Sequence, residues 1–103
     1  MANRINPFKL FESLNIPIGY YKNPRPRVVP FMVYYGVGMD SVMADNINYY
    51  NCQRFNIELY TLKKDFELED KIENMLIENE IVFEKGAEVF IPEEKTFMTP
   101  YYI

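Results

Sequence analysis

Between Arg54 and Thr61 the chain alternates with a strict period of two. Phe55, Ile57, Leu59 and Thr61 fall on one side, and Arg54, Asn56, Glu58 and Tyr60 on the other. Only a strand gives successive side chains opposite faces, so this stretch predicts a sheet with one dry and one wetter side. The period then changes. After the turn Lys63-Lys64-Asp65, the residues Leu68, Ile72, Met75, Leu76 and Asn79 recur at helical spacing. Asp65 suits the N-cap of a helix over 66–79, and the acids of its first turn suit the positive end of the helix dipole. Glu67, Glu69, Asp70, Glu73 and Glu78 are placed by this spacing on the solvated side. A strand with one dry face feeding an amphipathic helix commits the chain to a layered fold.

The rest of the chain fits around that pair. Asn6-Pro7 reads as an N-cap with Pro at the first helical position, followed by Phe8, Leu10, Phe11 and Leu14 and stopped by Pro17 and Gly19. Tyr20–Pro30 holds Pro24, Pro26 and Pro30 with the cations Lys22, Arg25 and Arg27. Prolines deny ladder donors, so an extended arm or a plain connecting loop is expected there. Val28–Tyr35 is a strand pattern, with Phe31, Val33 and Tyr35 on one side and Met32 and Tyr34 on the other; Gly36 and Gly38 are expected to end it. Residues 37–46 read as a loop, and Ile47–Leu62 as a second long strand. Ile81–Lys85, Glu88–Ile91 and Thr96–Ile103 follow as strands, the last confined to an edge or bulge by Pro100. The expectation is one α+β domain spanning 1–103: a mainly antiparallel sheet of four to five strands, one long helix and a short N-terminal helix, both on one face.

Composition limits the functions open to such a fold. The 103 residues include nine Tyr and eight Phe and are 49% apolar, which argues against disorder. So many rings hint at a partner surface, where Tyr works well half-buried, though sheets are Tyr-rich in any case. A net charge of −4 disfavours a general nucleic-acid binder. The charge is uneven. Residues 1–64 carry more Lys and Arg than acids, whereas 65–103 set eleven acids against Lys71, Lys85 and Lys95. Opposite signs on one molecule suit head-to-tail contacts between copies; an acidic helix with solvated loops gives the same pattern. The start MANRINPFKLFE lacks an apolar signal segment, and no run approaches a membrane span, so an intracellular protein is expected.

Chemistry is hard to place. There is no histidine, the commonest general base and a common metal ligand. Cys52 is alone, flanked by Asn51 and Gln53, and reads as a structural thiol. Glu93 and Glu94 are adjacent and diverge on any regular element. Gly36-x-Gly38 lacks the rest of a phosphate loop. Asp40 and Asp45 lack a calcium-loop pattern. Ser41 has no base, and Met32, Met39 and Met43 read as filler. The expectation is no catalysis, no cofactor and no metal.

The runs YYGVGMDSVMADNINYY, QRFNIELYTLKKD and FELEDKIENMLIENEIVFEK, about two-thirds of the chain, together resemble a family of small proteins in the head–tail cassettes of phages and prophages of Gram-positive bacteria. The matching pieces are Tyr34-Tyr35-Gly36, Gly38, Ala44-Asp45-Asn46, Tyr49, Ile57–Thr61, Lys63–Asp65 and Leu68-Glu69. Such proteins look similar to tail terminators of long-tailed phages. The resemblance implies a homo-oligomeric ring, commonly a hexamer, that caps the tail tube and joins it to the head connector. Its partners would be its own copies, the tube protein and the connector, with no membrane and no sequence-specific nucleic acid, and it would act in the virion after assembly in the host cytoplasm. A ring needs two unlike patches on each copy. Candidates are Lys22, Arg25 and Arg27 for one, Glu69, Asp70 and Glu73 for the other, aromatic burial at Tyr34, Tyr49 and Tyr50, and a tube or connector contact in the loop 37–46, which holds Met39 and Asp40. Two alternatives stand beside this: another neck or head-completion adaptor, and an acidic inhibitor that imitates nucleic acid. A mimic needs carboxylates spread as phosphates are, whereas here they gather on one helix and in loops.

Overall fold

The computed structural model of the chain describes residues 6–25, 28–43 and 49–103, with the backbone alone described over 38–43 and 49–53. The chain is α+β. In order come α1 (Pro7–Phe11), a 3-10 turn (Glu12–Leu14), β1 (Ile18–Tyr20), β2 (Phe31–Met43), β3 (Tyr49–Thr61), α2 (Phe66–Glu78), β4 (Glu84–Lys85), β5 (Val89–Ile91) and β6 (Thr96–Tyr102). Among the described residues the sheet has six strands in the order β1-β2-β3-β6-β4, with β5 also paired to β6. It is mixed: β1 runs parallel to β2, and every other pairing is antiparallel.

One core joins the helices to one sheet face. Phe11, Ile18, Met32, Ile57, Leu59, Ile72, Leu76, Tyr101 and Ile103 are buried together. Ile57 and Leu59 sit opposite Tyr101 and Thr99 on β6, so the alternation of the strand selects which residues meet the helix. Asp65 caps α2 as its sequence demands, its side chain accepting from Leu68 N at 3.0 Å. The far end closes without glycine. Glu80 N–H donates to Ile77 O at 3.0 Å and Ile81 N–H to Leu76 O at 2.9 Å, the two bonds of a Schellman motif. Glu80 takes φ +57° to make them. Asn79, expected on the buried stripe, is instead the C-cap, where its amide donates to Met75 O.

Several expected boundaries move. Gly36 and Gly38 do not end β2. The register shifts between them, Gly36 facing Phe55 and Gly38 facing Arg54, so the glycines make a bulge that bends a strand continuing to Met43. The expected loop at 37–46 is therefore strand up to Met43, and 44–46 lie outside the described residues. Pro100 is not on an edge: β6 has β3 on one side and β4 and β5 on the other. A strand residue directs its N and its C=O to the same side, and Pro100 O accepts from Gly86 N–H at 2.9 Å. The missing proline donor thus faces the gap between β4 and β5, and the ladder to β3 loses nothing. Finally, only Glu84–Lys85 of the expected 81–85 strand pairs, because Ile81 and Phe83 turn in to pack against the core.

Candidate functional site

The acids of α2 do not form a free surface. Glu69, expected on the solvated side, is only 3% exposed and bridges two ammoniums: Lys85 Nζ at 2.6 Å and Lys64 Nζ at 3.0 Å. Lys85 also reaches Glu73 at 2.9 Å, and Lys64 reaches Glu88 at 3.0 Å. Tyr101 O–H donates to Glu73 at 2.9 Å. Burial drives the Glu69 carboxyl up, but hydrogen bonds and charge from Lys85 and Lys64 overcome it and hold the group below the usual carboxylate range. Burial works against the charge on Lys85, and bonds to Glu69 and Glu73 more than compensate, raising it; Lys64 is raised first by its bond to Glu69. The cluster pins the 63–65 turn, β4 and Tyr101 of β6 to the helix. Of the three candidate acids, Asp70 alone is exposed.

The helix-free sheet face carries a second cluster. Tyr35 and Tyr60 both donate to Glu58, at 3.0 and 2.7 Å, and Asn56 donates to the Tyr35 hydroxyl. Burial and the Glu58 carboxylate push the Tyr60 phenol far up. Phe31 stacks on Tyr60 with centroids 4.5 Å apart, and Tyr21 stacks on Tyr35 at 5.3 Å. Val33 lies buried beneath these rings. The chain thus covers its second face with its own aromatics where another fold would use a helix, which accounts for part of the surplus rings. A cleft at one end of this face lies between Tyr21–Asn23 and Ile91, Glu93 and Glu94. The sequence holds the signal for it in the polar side of the alternation, but nothing local told that those residues would bond to one another.

The remaining candidates divide. Lys22 and Arg25 are exposed on the arm; Arg27 lies outside the described residues. Tyr34 is no open contact: it packs on the core, edge-on to Tyr20 and Phe55. Met39, Asp40, Tyr49 and Tyr50 fall on one feature. β1 pairs β2 as far as Tyr34 and β6 pairs β3 from Asn56, while Ile103 N–H and C=O bond Phe55. Beyond that point, among the described residues, β2 and β3 continue with only each other, pairing Met39 with Gln53, Asp40 with Cys52, Val42 with Tyr50 and Met43 with Tyr49. At ~3.3 Å per residue this two-stranded ribbon adds roughly 20 Å. It helps to make the molecule 51 × 25 × 23 Å. The radius of gyration is 14.9 Å, against ~13 Å for a compact chain of this length.

Among the described residues, no group of three or more His, Cys, Asp or Glu is placed to hold a metal ion, and no helix is long and apolar enough to cross a membrane. No protein-family model and no curated protein matches the chain.

Proposed function

We propose that this chain is a structural protein of the head–tail region of a long-tailed phage, a tail-terminator-like domain whose copies form a ring that ends the tail tube and joins it to the head connector. The observation that carries this reading is the ribbon. Two strands alone are marginally stable in water, so a chain that extends them past its own sheet holds backbone groups suited to another chain. The described ionisable clusters point the same way: Glu69 with Lys64 and Lys85, and Glu58 with Tyr35 and Tyr60, are each engaged inside the fold. On this reading the protein works through its contacts, without cofactor or catalysis. The resemblance of the 34–85 stretch to head–tail cassette proteins supplies the setting. The test is to make particles without this protein. Over-long tails, or tails separated from heads, are expected; normal joined particles would sink the reading.

A further inference from the structure

Of the stretches of strand edge that have no strand neighbour among the described residues, the outer sides of β1 and of the two-residue β4 included, two are unlike each other. One runs along the ribbon, Met39–Met43 and Tyr49–Gln53. The other is the outer side of β5, which pairs only with β6. Its Val89 and Phe90 are 46% and 50% exposed. Natural sheets protect edges with lysine, proline or a covering loop. β5, reading Val-Phe-Ile, has neither lysine nor proline within it.

We propose that these two edges are partners in different copies: the ribbon of one molecule lies along β5 of the next. This rests on the assembly reading above and names its contact. Joining unlike patches is heterologous, so each copy that gives a ribbon still offers an edge, and the contact repeats from copy to copy as a ring requires. The ribbon gains the third strand it lacks, and the exposed Val89 and Phe90 are covered. Self-pairing of β5 about a two-fold axis would also cover Val89 and Phe90, but it closes at a dimer and leaves each ribbon without a third strand.

Complementation tests this. One variant replaces residues 39–52 with Asn-Gly and keeps only the β5 edge. The other, Val89→Lys with Phe90→Lys, blocks the edge and keeps the ribbon. After cooperative unfolding is verified for each, sedimentation velocity across concentration should show that wild type self-associates and each variant alone does not. Their equimolar mixture should form heterodimers and stop there. A wild type that is monomeric at every concentration overturns the pairing. So does an edge-blocked protein that associates as wild type does, or a mixture that stays monomeric. In the latter two cases association through other contacts leaves the ring standing, and the particles made without the protein decide that question separately. If the ribbon-less variant fails to fold, hydrogen exchange on wild type replaces it. Amides of 39–43, 49–53 and 89–91 should slow together as concentration rises, and an unchanged rate in either group overturns the proposal.

Discussion

The Lys85 ammonium lies 2.6 Å from Oε1 of Glu69, a carboxylate on α2 that is only 3% exposed. The lysine comes from β4, a strand of two residues, so this pair fastens the shortest described strand of the sheet to α2. The two partners are unequal. Lys64 and Lys85 are 36% and 37% exposed and can return to water if the acid is lost, whereas Glu69 cannot follow them.

That asymmetry orders two substitutions. Lys85→Met leaves a buried carboxylate with one cation in place of two and is expected to lower stability by about 1–3 kcal/mol. Glu69→Leu removes the buried charge itself and should be milder, since an apolar replacement for a buried ion is often close to neutral. Urea unfolding of both proteins compares them directly; equal losses would mean that the lysines are as dependent on the pair as the acid is.

Acid should release the same fastening. The folded-state pKa of Glu69 is depressed, so its contribution is fully present above the unfolded carboxylate value of about 4.3 and is lost as pH falls through the folded value. Lys64 and Lys85 are raised, so their contributions hold below about 10.4 and fade as pH rises through their folded values. Unfolding free energy followed from pH 7 down to pH 3 should fall less steeply in Glu69→Gln than in wild type.

At the C-terminal end of α2, Glu80 holds φ +57°, a conformation that costs a residue with a Cβ about 1–2 kcal/mol. Glu80→Gly should therefore stabilise the protein, by at most about 1 kcal/mol once the greater freedom of glycine in the unfolded chain is counted. A rise in the thermal midpoint is the expected result, and Glu80→Ala should give none.

On the other rim, Gly19→Ala should destabilise by about 1–3 kcal/mol, because the added methyl meets backbone at Lys22 and the Pro24 ring. Calorimetry measures it. Within α2 itself, Leu76→Ala is expected to cost about 2–5 kcal/mol, while Ile77→Ala, one residue on and largely exposed, should change stability by less than about 0.5 kcal/mol.

What the sequence determined by itself was local and periodic. The alternation of Phe55, Ile57, Leu59 and Thr61, the Asp65 cap and the spacing of Leu68, Ile72, Met75 and Leu76 assign the β3–α2 pair, because side-chain period and capping are properties of neighbouring residues. The tertiary structure decided everything that depends on what arrives from far along the chain. Glu69 has the spacing of a solvated acid, and it is buried because Lys64 and Lys85 converge on it from a turn and a later strand. Pro100 sits in an interior strand because its missing donor meets the gap between β4 and β5. Gly36 and Gly38 look like a strand end, yet β3 continues alongside them and turns them into a bulge. Tyr35 meets Glu58 and Tyr60 on the second sheet face only because β2 pairs with β3. Period is written residue by residue, whereas burial, edge and pairing exist only once distant segments share one surface.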